Sequence, residues 1–316
     1  MRLRSALLAA VVLAGLAACA APEESKVAAA NTINIGPDQQ RIIPAKVDAI
    51  AALVPEKVRA AGTLKVGLGA AGSGSPPLAF TATDNKTLIG SEPDLAFAVA
   101  GVLGLTPELE NSSWENLFIG LDSAEYDVGA SNITVTELRK QKYDFATYRL
   151  DNLAFEAKKG SGLKVGGPAD VAGKRIAVSS GTNQEKILVE WSKQAGKEGL
   201  KPVDIKYYQT NQATYLALGS GQIDAYLGPN PTVAYHVAVA GESEIVGTYS
   251  GAGSALQGKI AFTTKKDSGL VKALAAALDE LIRSGDYAKI LARWNLANEA
   301  VTASEINPPG LPIDGK

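Results

Sequence analysis

Residues 126–148 read YDVGASNITVTELRKQKYDFATY. A short apolar strand at 127–130 runs into Ser131, Asn132, Thr134 and Thr136, and then into a short helix carrying Arg139. Where a strand ends and a helix begins, backbone N–H groups are unpaired. The small hydroxyl and amide side chains add donors there, which makes an anion cradle. Arg139 contributes a planar fork matched to two carboxylate oxygens. Composition leaves a second reading open, in which 131–136 is a capped loop and Arg139 a solvated surface charge.

Outward from this stretch the chain alternates β-like runs with segments of helical period. Strands are predicted at 63–67, 127–130, 152–158, 175–178, 203–207, 223–227 and 259–264. Helices are predicted at 93–103, 114–124, 183–195, 212–218, 232–239, 269–283 and 286–294. Such alternation predicts an α/β fold with largely parallel sheets. Gly-rich texture at 158–168 (KKGSGLKVGGP) and again at 250–258 (SGAGSALQG) marks two crossings between domains. The predicted layout is therefore one lobe over 43–155, opening with an N-terminal helical extension, a second lobe over 156–250, and a return to the first over 251–297. Pro308, Pro309 and Pro312 make 298–316 an extended tail.

The chain has 316 residues, 46% of them hydrophobic, which suits two domains or one large one with a buried core. Its 31 Lys+Arg against 33 Asp+Glu give net −2, so no basic excess exists to neutralise phosphates, and nucleic acid is excluded as a partner. One Cys and one His can assemble neither an intrachain disulfide nor a Cys/His zinc site, and the residues call for no metal or cofactor. Composition suits a monomer.

Arg2 and Arg4 precede an apolar run at 5–18, shorter than the roughly 20 residues of a spanning helix. It reads as an export signal, 1–18. The run ends in LAAC at 16–19, which resembles the bacterial lipoprotein box and makes Cys19 the lipidation site. The mature protein is then expected outside the cytoplasm, anchored to the bacterial cell membrane by N-terminal lipid. Residues 19–42, Ala-rich and polar, read as a disordered tether.

Three further features bear on function. GLGAAG at 67–72 spells a dinucleotide fingerprint, but the following SGSPP at 73–77 dictates a loop where the motif needs a helix. His236 lies on a helical segment with no nucleophile motif beside it, which favours a structural imidazole over a catalytic base. Trp114 opens an amphipathic helix with Leu117, Phe118 and Leu121. It suits core packing, and from the first turn it can also reach a cleft at strand ends.

Taken in order, several strings resemble the extracytoplasmic solute-binding proteins of polar amino acid ABC importers. They are GTLKVG at 62–67, SPP at 75–77, GSEPDL at 90–95, WENL at 114–117 and TVTELR at 134–139. GKRIAV at 173–178, SGTN at 180–183, GQIDA at 221–225 and GDYAKI at 285–290 with Trp294 complete the set. The resemblance implies a two-lobed type II periplasmic-binding-protein fold, each lobe a mostly parallel sheet flanked by helices, closing around a two-stranded hinge. It implies an amino acid or related carboxylate as ligand, a membrane permease as partner, and no catalysis. By the same resemblance Arg139 grips the ligand carboxylate with Thr134, Ser131 and Asn132 beside it. Thr182 and Asn183 add donors from the second lobe, Trp114 forms a wall, and Ser75 belongs to the first cleft loop.

Two positions depart from the family. Pro229 stands where an Asp receives the ligand ammonium, leaving Asn230, Glu92 and Glu115 as candidate acceptors. The aromatic residues that flank the Pro-Pro pair are replaced by Ser75 and Leu78. Two other readings stay open: a dehydratase on the same fold with Glu92 and Glu115 as an acid/base pair, and an extracytoplasmic sensor that works without a transporter.

Overall fold

The computed structural model describes residues 33–71 and 74–313. The export signal, Cys19, residues 19–32 of the expected tether, and Gly72 and Ser73 of the glycine loop lie outside the described residues.

Two short helices, α1 (Asp48–Ala51) and α2 (Glu56–Ala61), precede strand β1 (Thr63–Leu68). A small hairpin of β2 (Phe80–Thr81) and β3 (Leu88–Ile89) leads into α3 (Ser91–Leu103), followed by β4 (Thr106–Asn111), α4 (Trp114–Ser123) and β5 (Val128–Gly129). Strand β6 (Tyr143–Lys158) then crosses into the second lobe. That lobe holds β7 (Arg175–Val178), α5 (Asn183–Lys197), β8 (Asp204–Tyr207), α6 (Asn211–Gly219), β9 (Ala225–Pro229), α7 (Asn230–Ala240) and β10 (Ser243–Ser250). β11 (Gly258–Lys265) returns to the first lobe, which α8 (Val271–Ser284) and α9 (Asp286–Arg293) complete.

Along the sheet the strand order is β4-β1-β5-β11-β6-β9-β7-β8, with β10 also paired to β6. β4, β1 and β5 are parallel in one lobe, and β8, β7 and β9 in the other. β6 and β11 enter antiparallel because they are the crossing strands. With 16 residues, β6 spans about 50 Å. It pairs with β11 as far as Asp151 and with β10 from Asn152 onward, so its two halves serve different lobes.

Only the second half of β6 is predicted from sequence. Asp144, Thr147, Arg149 and Asp151 interrupt the apolar pattern of the first half, yet all four are buried. β4 and β10 are also missed: TPELEN is a mostly exposed edge strand, and SEIVGTYS has no clean alternation. The predicted helix at Arg139 is one 3-10 turn, Arg139–Gln141.

Each lobe packs its own core. In the first, Leu95, Val99 and Val102 of α3 meet Leu274, Leu278 and Leu281 of α8, which recur at helical spacing. Leu117 and Leu121 of α4 cover the opposite face of the sheet with Ile133 and Phe145. In the second lobe, Phe155, Ile176, Val178, Leu188 and Trp191 form the centre.

The expected tether ends earlier than residue 42. Ile33, Ile42 and Val47 pack on the first core, and Arg41 pairs with buried Asp94 at 3.2 Å and donates to Leu88 O at 2.6 Å. This segment has charge partners and an apolar seat, which a solvated tether lacks. The segment past Ala297–Glu299 is firmly docked: Leu311 exchanges backbone hydrogen bonds with Val135 and Glu137 and is buried in the second lobe's core.

Asp94 accepts from Trp294 Nε1 at 2.8 Å and pairs with Arg41 and with Arg293 at 3.1 Å while 1% exposed. Asp94→Ala is expected to cost about 3–5 kcal/mol in urea unfolding, because the partners lose a buried counter-charge. A loss under about 1 kcal/mol would show that the network carries no stability.

Candidate ligand-binding site

Helices α4, α5 and α6 each begin just beyond the C-terminal end of a parallel strand, β4, β7 and β8 respectively, where open α/β sheets form their crevices. Ser113, Thr182 and Thr210 cap them, each side-chain oxygen accepting the N–H three residues on at 3.2, 3.2 and 3.3 Å. All three caps line a cavity of about 260 Å³ between the lobes. That is below the roughly 300–1,000 Å³ of drug-sized sites and suits a solute the size of one amino acid.

The first lobe supplies Gly69, Ser75, Leu78, Glu92, Ser112, Trp114, Glu115, Ser131 and Asn132 to the wall. Thr182, Asn183, Gln184, Gln209, Thr210, Asn211, Tyr226 and Pro229 come from the second. A Cβ at Gly69 would displace the Ser131 hydroxyl from its place on the wall. Across the cleft, Asn211 Nδ2 donates to Gly74 O at 3.0 Å and to Ser75 Oγ at 3.1 Å. The lobes therefore touch, and the cavity has the form of a shut cleft.

Of the residues singled out in the sequence, Ser75, Trp114, Ser131, Asn132, Thr182 and Asn183 stand on the wall. Arg139, Thr134 and Asn230 do not, contrary to expectation. Arg139 lies behind Trp114, its guanidinium 5.1 Å from that ring's centroid, and donates to Thr134 O at 2.9 Å and to Gly181 O at 3.2 Å. Thr134 is fully buried, with its hydroxyl donating to Asp151 Oδ2 at 2.7 Å. Asn230 donates to buried Glu299 at 3.0 Å. Each departure has one cause: an internal acceptor already holds the donor. His236, off the wall, pairs with Glu156 and stacks on Tyr215 with ring centroids 3.5 Å apart.

Sequence reasoning missed Ser112, Gln184, Gln209, Thr210, Asn211 and Tyr226. Thr210 and Asn211 lie between a predicted strand and a predicted helix, a position where a capping Thr and free backbone N–H groups are to be expected, so the signal was present. Nothing in sequence distinguishes Gln184, yet its Oε1 and Ser112 Oγ are buried on the wall with no hydrogen-bond partner. Such orphaned atoms are costly unless a bound group satisfies them.

Electrostatically the wall is one-sided. Glu92 and Glu115 line it, and among the described residues no Lys, Arg or His does. Glu92 Oε1 accepts from Asn132 N–H at 2.5 Å and from Tyr148 OH at 2.6 Å. Burial pushes the Glu92 carboxyl above its ordinary range, and those two bonds oppose the shift. Behind the wall, burial pulls Arg139 down to about 10, with the charge of Asp151 the largest influence resisting it. Asp151 itself is pushed up to about 6 by burial, opposed first by the Thr134 hydroxyl and then by Arg149. No group of three or more His, Cys, Asp or Glu among the described residues could hold a metal ion.

The profile of the bacterial extracellular solute-binding proteins, family 3, matches residues 68–297. The arginine-binding protein ArgT of Corynebacterium glutamicum is 30% identical over 270 residues, covering 85% of this chain and 86% of that protein. The L-cystine-binding protein TcyJ of Escherichia coli is 35% identical over 173 residues, covering 54% of this chain and 60% of that protein. Among solved structures, an ancestral arginine-binding protein bound to arginine superposes with a TM-score of 0.65 at 29% identity, covering 74% of this chain and 98% of that one.

Asp151 predicts a pH signature. Its folded value near 6 exceeds the unfolded 3.8, so the folded state holds the extra proton between these values, and stability is lost as pH rises through that window. Relative to Asp151→Asn, the wild type should lose about 2–3 kcal/mol between pH 4 and pH 7 in urea titrations. A constant difference across that range would contradict the raised value.

Proposed function

Because the chain belongs to the bacterial extracellular solute-binding proteins of family 3, we propose that it is the substrate-binding component of an amino acid ABC importer. Its ligand is an amino acid or derivative of net positive charge. The observation that carries this reading is the cavity wall, which bears two carboxylates and no cation. A positive group beside Glu92 and Glu115 gains charge-assisted hydrogen bonds and opposes the upward push that burial gives the Glu92 carboxyl. ArgT, named for arginine, supports a basic ligand.

Capture follows from shutting the cleft. Bonds such as Asn211 to Ser75 form only with the lobes together, and a ligand that meets polar groups of both lobes has more partners in the shut form than in the open one. It therefore shifts the population toward closure, and the shut form is the signal a permease reads. Lipid on Cys19, supported by the LAAC string at 16–19, holds the protein at the outer side of the cytoplasmic membrane. Glu92 and Glu115 serve to bind, in keeping with relatives named as binding proteins.

Calorimetry over the amino acids tests this reading. Arginine, lysine or ornithine should bind with a Kd at least tenfold below that of glutamate or aspartate, and Glu92→Gln should raise that Kd at least tenfold, about 1.4 kcal/mol. Preference for an acidic ligand would reject it.

A further inference from the structure

Residues 298–313 lie past the part of the chain that the family profile matches, and they run first along β6 in the first lobe. Thr147 N–H donates to Glu305 O at 3.1 Å, and Glu305 N–H donates back to Thr147 Oγ1 at 2.8 Å. Asn307 N–H donates to Phe145 O at 3.0 Å, while its Oδ1 accepts from Phe145 N–H at 2.8 Å. Ser304 N–H donates to Asp279 of α8 at 2.7 Å. As far as Asn307 the tail is therefore part of the first lobe.

A few residues further on it serves both lobes. Leu311 donates its N–H to Val135 O at 3.1 Å and accepts from Glu137 N–H at 3.0 Å, both on the first lobe. Gly310 passes so close to that loop that a Cβ would lie 2.3 Å from Val135 O. The Leu311 side chain, 4% exposed, nevertheless belongs to the second lobe's core, and Pro312 O accepts from Lys186 in the first turn of α5. The loop that holds the Leu311 backbone continues from Ser131 and Asn132, and the turn that reaches Pro312 follows Thr182 and carries Asn183. These four residues stand on the first-lobe and second-lobe walls of the cavity. The crossing strands keep the lobes connected whether the cleft is open or shut. An apolar side chain anchored on one lobe and buried in the other adds a contact that favours the shut form.

Resting on the importer reading, we propose that Leu311 is a positioning residue for ligand capture: the tail carries it from the first lobe into the second, and its burial there favours the shut cleft over the open one. Leu311 stands off the cavity wall. It acts through Ser131, Asn132, Thr182 and Asn183, whose spacing across the cleft it sets. The binding-competent population then depends on a contact outside the cavity, and the apparent Kd rises as that population falls. Because the ligand leaves through the open form, weakening this contact speeds release more than it slows capture.

Leu311→Ala tests this in the full chain, with Leu278→Ala as the control that makes the same truncation in the first lobe's core. Arginine calorimetry should give Leu311→Ala a Kd at least tenfold above wild type, with faster release in stopped-flow fluorescence. Leu278→Ala should stay within threefold, although both variants lower the urea midpoint. Small-angle scattering of the ligand-free proteins should give Leu311→Ala alone a larger radius of gyration. A Kd for Leu311→Ala within threefold of wild type, or an equal rise in both variants, overturns the inference and leaves the importer reading standing. Failure of the wild type to bind arginine, lysine or ornithine overturns the ligand reading instead. The scattering comparison then decides the inference by itself, and an unchanged radius of gyration overturns it. Should Leu311→Ala not fold, Gly310→Ala, whose added Cβ pushes the tail off Val135, takes its place with an expected rise in Kd of at least threefold.

Discussion

Arg149 and Glu299 form an ion pair with both side chains at most 1% exposed, beside the place where β6 leaves one lobe for the other. Burying two charges costs several kcal/mol each, recovered only if nearly every donor and acceptor is met. Arg149 meets Asn132 Oδ1 and Leu150 O and leaves its Nε unpartnered, while Glu299 takes Asn152 and Asn230 as well. The pair therefore reaches a cavity residue on one side and the first turn of α7 on the other. It ties the extended C-terminal segment, the hinge strand and both lobes into one polar network.

From that constraint the cavity inherits its shape and charge. Asn132, held by Arg149 through its side chain and by Glu92 through its N–H, adopts φ 47°, a left-handed conformation that Asn tolerates better than most residues. Glu92 is fixed in turn by Tyr148. The wall is thereby built on a β-strand and helix termini locked from behind, so little ordering remains for a ligand to impose on that side. On the side facing the cleft mouth the two lobes meet through a few polar bonds, such as Asn211 to Ser75.

Legibility in the sequence followed burial and pairing. Apolar period located α3, α4, α5 and α8, because those helices bury one stripe against one sheet face. β6 escaped in its first half because Arg149 and Asp151 look like surface charges until their partners are known. Arg139 showed the same difficulty in reverse: its fork invites a carboxylate, and sequence could not tell that carbonyl oxygens hold it and that Asp151 supplies the charge opposite it.

The sequence by itself determined the alternation of strands and helices, the strand-end loops that line the cleft, and the membership that their order carries. These are local or periodic properties, written in spacing, turn residues and caps. Tertiary structure alone decided which donors face the cavity and which are spent inside. Hydrogen-bond and charge satisfaction joins residues such as Thr134, Asp151 and Asn183, far apart in the chain, and no local pattern records which of them meet.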